Sequence, residues 1–158
     1  MEIIIGEKGA RFEFGDFILS CRFIKGNYPN YNRVIPNDNP FSLVSDRASL
    51  INALRRVTLF APKSSNLVVL NLEPEGVTLS AQDLDYGTSA EERLSCEYAG
   101  NSMVVGFNGV FMVEILSNMT DETVVLQLSD PARPGIYKGF EPKENESLVT
   151  IQMPMQVL

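Results

Sequence analysis

The stretch that decides the fold is NLVVLNLEPEGVTLSAQ at residues 66–82, because its pattern returns as ETVVLQLSDPARPGIYKG at residues 122–139. In both stretches an alternating apolar run is followed by a turn that contains Pro and Gly, and a second run begins after that turn. Alternation with a period of two is typical of strands that bury one face. The stretches agree in spacing and pattern more than in identity, and they predict a duplicated structural unit.

A short strand and a helix precede each of these stretches. FSLVS at residues 41–45 leads to Ser45 or Asp46, either of which can cap a helix. The apolar face of that helix is predicted to consist of Leu50, Ile51, Leu54 and Val57, and its polar arc of Ser49, Asn52, Arg55 and Arg56. SMVVGF at residues 102–107 leads in the same way to a second helix, NGVFMVEILSNM, which Asn108 opens.

Further strands are predicted at EERLSCEYA (residues 91–99), GIYKGFE (135–141) and SLVTIQMP (147–154). Each unit therefore has the order β-α-β-β-β. The fold class is α+β, with a duplicated unit and two helices packed side by side on a common antiparallel sheet.

The N-terminal part of the chain has a different character. RFEFGDFILSCRFI at residues 11–24 alternates like one half-buried strand, and together with EIII and the turn-like GEKGA it predicts a hairpin over about residues 2–24. KGNYPNYNRVIPNDNP at residues 25–40 is rich in Gly, Asn and Pro, which is typical of a linker.

Composition is that of an ordinary globular protein, with 44% apolar and 21% charged residues in 158. No apolar run approaches the roughly 18 residues of a membrane helix, and the first residues lack the features of a secretory signal, so a cytoplasmic location without membrane contact is expected. The net charge of −7 argues against non-specific nucleic-acid binding by the chain as a whole.

Enzymatic chemistry finds little support in the sequence. The chain has no His, and Cys21 and Cys96 match neither a zinc nor a redox motif, so we expect both thiols to be reduced and at least half-buried. Asp83 and Asp85 share a strand face and could bind a divalent ion, although a solvated turn is the favoured interpretation. We therefore predict no catalytic residues, no metal site and no cofactor.

Four segments in order carry a family resemblance. KGNYPNYNRVIP (residues 25–36), NALRRVTLFA (52–61), VVGFNGVFMVEIL (104–116) and TIQMPMQ (150–156) resemble the bacterial sliding clamp, the β subunit of DNA polymerase III. The resemblance covers essentially the whole chain. It implies that residues 32–158 are the C-terminal (third) clamp domain and that residues 1–31 are the last hairpin of the middle domain with its linker. We therefore expect the chain to be a fragment of a clamp.

The resemblance implies a replication processivity factor without catalytic activity. Such a clamp tethers the replicative polymerase, the clamp loader and repair proteins to DNA by docking their short clamp-binding peptides. The intact protein would be a ring-forming homodimer that encircles double-stranded DNA without reading its sequence. Two alternatives stay open from the residues alone, namely a scaffold domain with no clamp role and a metal-dependent hydrolase that uses Asp83 and Asp85.

The tail is the most informative part of the predicted peptide site. Pro154 interrupts strand pairing, and the flexible side chains of Met153 and Met155 flank it. We expect the tail to fold back beside the linker and leave an apolar slot there. Carried over from the family by position, the peptide-binding residues are Pro29, Arg33, Val34, Asn108, Phe111, Ala132, Pro134, Ile151, Gln152, Met153, Pro154, Met155, Gln156 and Val157. Gln156 stands where many relatives have Arg, and Phe111 stands where Tyr is commoner.

Two further surfaces are implied by the resemblance. The DNA-facing residues would be Arg47, Arg55 and Arg56 on the first helix. The ring interface would contain the apolar Leu59 and Phe60 together with the acidic Glu91 and Glu92.

Overall fold

The computed structural model describes residues 1–141 and 148–157 of the chain. It divides into two compact units, Met1–Tyr31 and a larger unit that begins at Asn32. The assignment of the first unit to a middle domain stays a prediction. No helix among the described residues is long and apolar enough to cross a membrane.

The first unit is a three-stranded antiparallel sheet of β1 (Glu2–Ile5), β2 (Gly9–Phe14) and β3 (Phe17–Arg22), in that order. The prediction of a single strand over residues 11–24 is wrong, because a two-residue turn at Gly15 and Asp16 divides it and pairs Phe14 with Phe17. Gly15 has a φ of +57°, a conformation that Gly adopts without steric cost at the first position of such turns. Cys21 on β3 is exposed, against our expectation, whereas Cys96 is half-buried.

The larger unit confirms the duplicated β-α-β-β-β order. Its first half comprises β4 (Phe41–Asp46), α1 (Arg47–Thr58), β5 (Leu67–Glu73), β6 (Gly76–Asp83) and β7 (Thr88–Leu94). After the short strand β8 (Glu97–Ala99), the second half comprises β9 (Met103–Asn108), α2 (Gly109–Asn118), β10 (Thr123–Leu128), β11 (Gly135–Gly139) and β12 (Thr150–Gln152). The strand predicted at residues 147–154 is thus shorter, and residue 147 lies outside the described residues.

The larger unit contains two antiparallel sheets, whereas we had expected a single common sheet. One has the strand order β12-β11-β10-β4-β8 and the other the order β7-β6-β5-β9. The first strand of each repeat has joined the sheet of the other repeat, so β4 pairs with β10 and β9 pairs with β5. The predicted strand at residues 91–99 is also divided, since β7 belongs to one sheet and β8 pairs with β4 in the other.

Both helices begin where the sequence predicts. Asp46 accepts a hydrogen bond from Ser49 N at 2.8 Å, and Asn108 accepts one from Phe111 N at 3.1 Å. The hydrogen bonds with Ser49 hold the pKa of Asp46 below its usual value. The predicted apolar face of α1 is buried, and the buried Met112 and Leu116 of α2 join the same core. This packing fixes β9 and the cap of α2 in place at one edge of the second sheet.

Candidate functional site

An open cleft lies at the outer edge of β9, on the side away from β5. Its volume is about 780 Å3, within the range of about 300–1,000 Å3 that is usual for ligand sites. Three segments form its walls: strand β9, the turn between β10 and β11, and the tail after β12. The lining residues are Val104, Val105, Gly106, Asp130, Pro131, Ala132, Pro154, Met155, Gln156 and Val157.

Close contact between the tail and β9 closes one end of the cleft. Met155 N donates to Gly106 O at 2.7 Å, which forms an isolated antiparallel bridge. A Cβ atom added at Gly106 would lie 2.9 Å from Met155 O and 2.9 Å from Val157 Cγ2. Only a residue without a side chain therefore allows the tail to approach β9 this closely.

A buried polar chain fixes the direction in which the tail leaves the sheet. Tyr137 on β11 donates its hydroxyl hydrogen to Gln152 Oε1 at 2.8 Å, and Gln152 Nε2 donates to Asn108 O at 3.0 Å. Tyr137 is 1% exposed and Gln152 is 7% exposed, and burial raises the pKa of the Tyr137 hydroxyl. Tyr137 and both polar atoms of the Gln152 side chain are thus hydrogen-bonded, so Gln152 joins three segments at the point where the tail begins.

The turn after β10 is held by its own hydrogen bonds. Asp130 Oδ1 accepts from Ala132 N at 2.7 Å, and Asp130 O accepts from Arg133 N at 3.1 Å. Asn39 Nδ2 donates to Gln127 O at 3.1 Å and to Pro134 O at 3.0 Å, which joins the two ends of the turn. The cleft therefore has a wall with a fixed backbone rather than a loose loop.

The cleft brings together some of the residues that the sequence analysis assigned to peptide binding. Those that line it are Ala132, Pro154, Met155, Gln156 and Val157. Arg33, Val34, Asn108, Phe111, Pro134, Ile151, Gln152 and Met153 belong to the same unit but do not line it. Pro29 belongs to the first unit. The expected slot is thus formed with β9 and a turn, and the linker residues Arg33 and Val34 take no part in its lining.

Five of the residues outside the cleft fall into two groups. Asn108 caps α2 and also donates from Nδ2 to Ser65 O at 2.9 Å, and Gln152 points into the interior. Both side chains therefore hydrogen-bond to backbone atoms and position neighbouring segments. Val34, Phe111 and Met153 are 48%, 55% and 57% exposed. These three expose the apolar surface that the family resemblance assigns to peptide contact.

Sequence analysis missed the β9 wall, Val104 to Gly106, and the turn residues Asp130 and Pro131. The repeat relates β9 to β4 but does not give the place of β9 in its sheet. Val104 and Gly106 lie four and two positions before the cap Asn108, as Ser42 and Val44 do before the cap Asp46. Because β4 has a neighbouring strand on both sides, this alignment alone does not show that β9 lies at an edge.

The predicted DNA-facing arginines have three different environments. Arg47 donates from Nε to Asp121 O at 2.6 Å and contacts Leu116 O, so it ties the start of α1 to the end of α2. Arg56 forms a two-point ion pair with Glu92 on β7, at 2.9 and 2.5 Å. Arg55 is exposed and has no ion pair or hydrogen bond among the described residues.

The apolar residues predicted for the ring interface lie just beyond the end of α1, and the acidic ones lie on β7. Leu59 and Phe60 are 70% and 39% exposed and adjacent in the chain, so both present apolar surface to solvent. Glu91 is exposed, whereas Glu92 is occupied by Arg56, whose hydrogen bonds lower the pKa of the Glu92 carboxyl. Two residues assigned to different surfaces thus bind each other.

Of the two carboxylates considered for a metal site, that of Asp83 stabilises a turn by accepting backbone hydrogen bonds. Asp83 is 6% exposed, and its Oδ1 accepts from Asp85 N at 3.0 Å and from Tyr86 N at 3.3 Å. Within the described ranges there is no group of three potential metal ligands. The geometry supports the turn that we favoured over an ion site.

Comparison with known proteins gives a consistent result. Residues 32–156 match the family model described as DNA polymerase III beta subunit, C-terminal domain. The chain is 32% identical over 158 residues to the beta sliding clamp of Treponema pallidum, covering 98% of the chain and 42% of that protein. It is 30% identical over 134 residues to the beta sliding clamp of Caulobacter vibrioides, covering 85% of the chain and 36% of that protein.

Solved structures agree with these relatives. The fold superposes on the Caulobacter crescentus pol III beta with a TM-score of 0.88 at 28% identity, covering 98% of this chain and 41% of the other. A Pseudomonas aeruginosa sliding clamp bound to griselimycin gives a TM-score of 0.86 at 25% identity, with 98% and 41% covered. The chain therefore spans about two fifths of the length of its relatives, 42% of the Treponema pallidum clamp and 36% of the Caulobacter vibrioides clamp.

Proposed function

The chain belongs to the family of the DNA polymerase III beta subunit, the sliding clamps, and from this premise we propose that it docks short peptides of replication proteins. In a complete clamp this docking would tether the replicative polymerase, the clamp loader and repair proteins to DNA. The chain itself carries out no chemical step in this proposal, and its place of action is the cytoplasm.

The cleft at β9 is the observation that carries the proposal. Its size suits a few residues of peptide, and Val104, Pro131, Met155 and Val157 give it mainly apolar walls. Met155 has a flexible, polarisable side chain that adapts to ligands of different shape, which suits a module with several partners. The exposed Phe111 and Met153 would give a bound peptide further apolar contact.

A charge placed in the cleft tests the proposal. Val157 is 39% exposed, so Val157→Asp introduces a carboxylate without removing a core side chain. The family resemblance implies a glutamine-led peptide with leucine and a final aromatic residue, so the probe is a labelled Gln-Leu-Ser-Leu-Phe peptide. We expect its affinity, measured by fluorescence anisotropy, to fall about tenfold or more because the bound peptide would bury the new charge without a partner.

Val149→Asp is the matched control, since Val149 is 46% exposed and does not line the cleft. The control should bind the peptide as the unchanged chain does. Equal affinity of the two variants, or no binding by the unchanged chain at high micromolar peptide, would refute docking at this cleft.

The same family membership supports two further parts of the proposal. Arg55 would contact phosphates of encircled DNA, while Arg47 and Arg56 are already engaged within the chain. The exposed Leu59 and Phe60 with Glu91 would form the ring contact of the intact homodimer. Such a ring holds DNA by enclosing it, so weak contacts are sufficient.

A further inference from the structure

The two repeats of the larger unit differ at the outer edge of their exchanged strands. On β4, the strand β8 pairs along Ser42, Leu43 and Val44. On β9, the equivalent residues counted from the helix cap are Val104, Val105 and Gly106. Among the described residues, the tail pairs with β9 only at Gly106, through Met155. This pair corresponds to Val44 and Glu97 in the other repeat.

The cleft occupies the place where the second edge strand is missing. If the tail followed β8, Gln156 would lie opposite Val105 and Val157 opposite Val104. Instead Val157 Cγ2 lies 2.9 Å from the Cβ position of Gly106, so the tail turns away after Met155. The space between the diverging chains is the cleft that Val104, Val105, Gln156 and Val157 line.

The backbone at Val104 faces this space. Gly106 O points outward to Met155 N, while the opposite side of β9 pairs with β5. Backbone groups of residues two apart in a strand point to the same side, so N–H and C=O of Val104 also point outward. Among the described residues no backbone partner satisfies them. An unpaired edge of this kind is a template for another strand.

We propose that the outer edge of β9 binds an extended segment of a partner protein as an additional strand, paired with Val104 and seated in the cleft. This mode rests on the proposed function and specifies how the peptide is held. The strand β8 shows what such an edge accepts, because its middle residue Tyr98 is 6% exposed opposite Leu43.

The occupant is therefore a segment of at least three residues whose middle side chain is large and apolar or aromatic. That side chain would enter the cleft on the face of Val105. Asp130 is the only charged residue in the lining among the described residues, so the segment carries no acidic residue beside it. Main-chain pairing supplies affinity for different sequences, and the side-chain pocket supplies the preference.

Removing the backbone N–H of Val104, which points outward from β9, tests the proposed pairing. Val104→Pro removes one N–H, and Pro is tolerated in an edge strand where that N–H faces outward. Val104→Ala is the control, since it shortens the side chain and keeps the N–H. Both variants shorten the apolar wall at Val104, so they are compared with each other: we expect the Pro variant to bind the Gln-Leu-Ser-Leu-Phe peptide about fivefold or more weakly than the Ala variant.

A peptide series on the unchanged chain makes the test independent of the folding of that variant. Single N-methylation of each internal peptide amide should weaken binding about fivefold at one or more positions. Peptide binding should also slow hydrogen exchange of the Val104 amide, measured by NMR.

Normal peptide binding with no sensitive amide, no slowed exchange at Val104 and equal affinity of both variants would overturn the pairing while leaving the docking function intact. No binding by the unchanged chain would contradict the docking function itself. Slowed exchange at Val104 that depends on chain concentration, without peptide, would show that a second copy occupies the edge and would overturn the proposed partner.

Discussion

At the scale of single residues, Gln152 has a different role in the structure from the one that the family resemblance implies. The family resemblance assigns it to peptide contact, but the structure turns it inward between Tyr137 and Asn108. It thereby sets the path of Met153, Pro154 and Met155, which follow it directly. A buried amide can direct a tail more strictly than an apolar side chain, because its hydrogen bonds are satisfied in only one arrangement.

Gln152→Leu should destabilise the chain because it leaves the buried Tyr137 hydroxyl without its partner. We expect the free energy of unfolding in urea to fall by about 1–3 kcal/mol. Tyr137→Phe in the same background removes the stranded hydroxyl, so the double variant should lose less than the sum of the two single losses. Additive losses would show that the two side chains are not coupled.

At this scale a local rule gave the helix caps correctly, whereas the turn at Gly15 and Asp16 was missed although it also follows a local rule. Asp46 and Asn108 are short polar residues before apolar helical patterns, and both cap helices as predicted. No such local rule applies to Val104 and Gly106, because their role depends on contact with the tail, which lies far along the chain. The inward orientation of Gln152 likewise depends on Tyr137 from another strand.

At the scale of secondary-structure elements, the exchange of β4 and β9 between the sheets was beyond sequence reasoning. Alternation in a strand shows which side chains are buried, but it does not show which strand is the neighbour. The repeats are similar, so each first strand suits either sheet. The chain connectivity through α1 and α2 decides the pairing.

The ion pair between α1 and β7 predicts a pH dependence. Hydrogen bonds from Arg56 hold the pKa of Glu92 below its usual value, so the folded state binds this proton less readily than the unfolded state. The stabilising contribution is therefore complete above the unfolded pKa of Glu92 and is lost as the pH falls through the folded pKa.

Glu92→Gln should accordingly reduce the loss of stability on acidification, measured as the urea midpoint at pH 7 and at about pH 3. Salt should diminish the difference, because Arg56 is exposed and the pair is screened. Glu91→Gln is the matched control on the adjacent, exposed residue. Identical pH profiles of the Glu92 variant and the unchanged chain would contradict this assignment.

At the scale of the whole molecule, charge opposes the proposed contact with DNA. The chain has a net charge of −7, and the ion pair with Glu92 neutralises Arg56. Of the three predicted arginines, Arg55 is left to face phosphates. In the proposed contact a duplex would therefore meet a chain of net negative charge through Arg55 alone of the three arginines, so we expect the affinity of this chain for DNA to be weak.

The charge distribution predicts how strongly the affinity of this chain for a DNA duplex depends on salt concentration. Each released phosphate counterion contributes a slope of about −0.9 to the dependence of log affinity on log salt concentration. With Arg55 as the contact, the slope measured by anisotropy at low salt should lie near −1, and Arg55→Ser should bring it close to zero. Lys63→Ser removes the same charge from an exposed position beyond α1 and should leave the slope unchanged. A slope near −2 that Glu92→Gln leaves unchanged would mean that Arg56 also leaves Glu92 to bind phosphate, and DNA would then compete with the ion pair for Arg56.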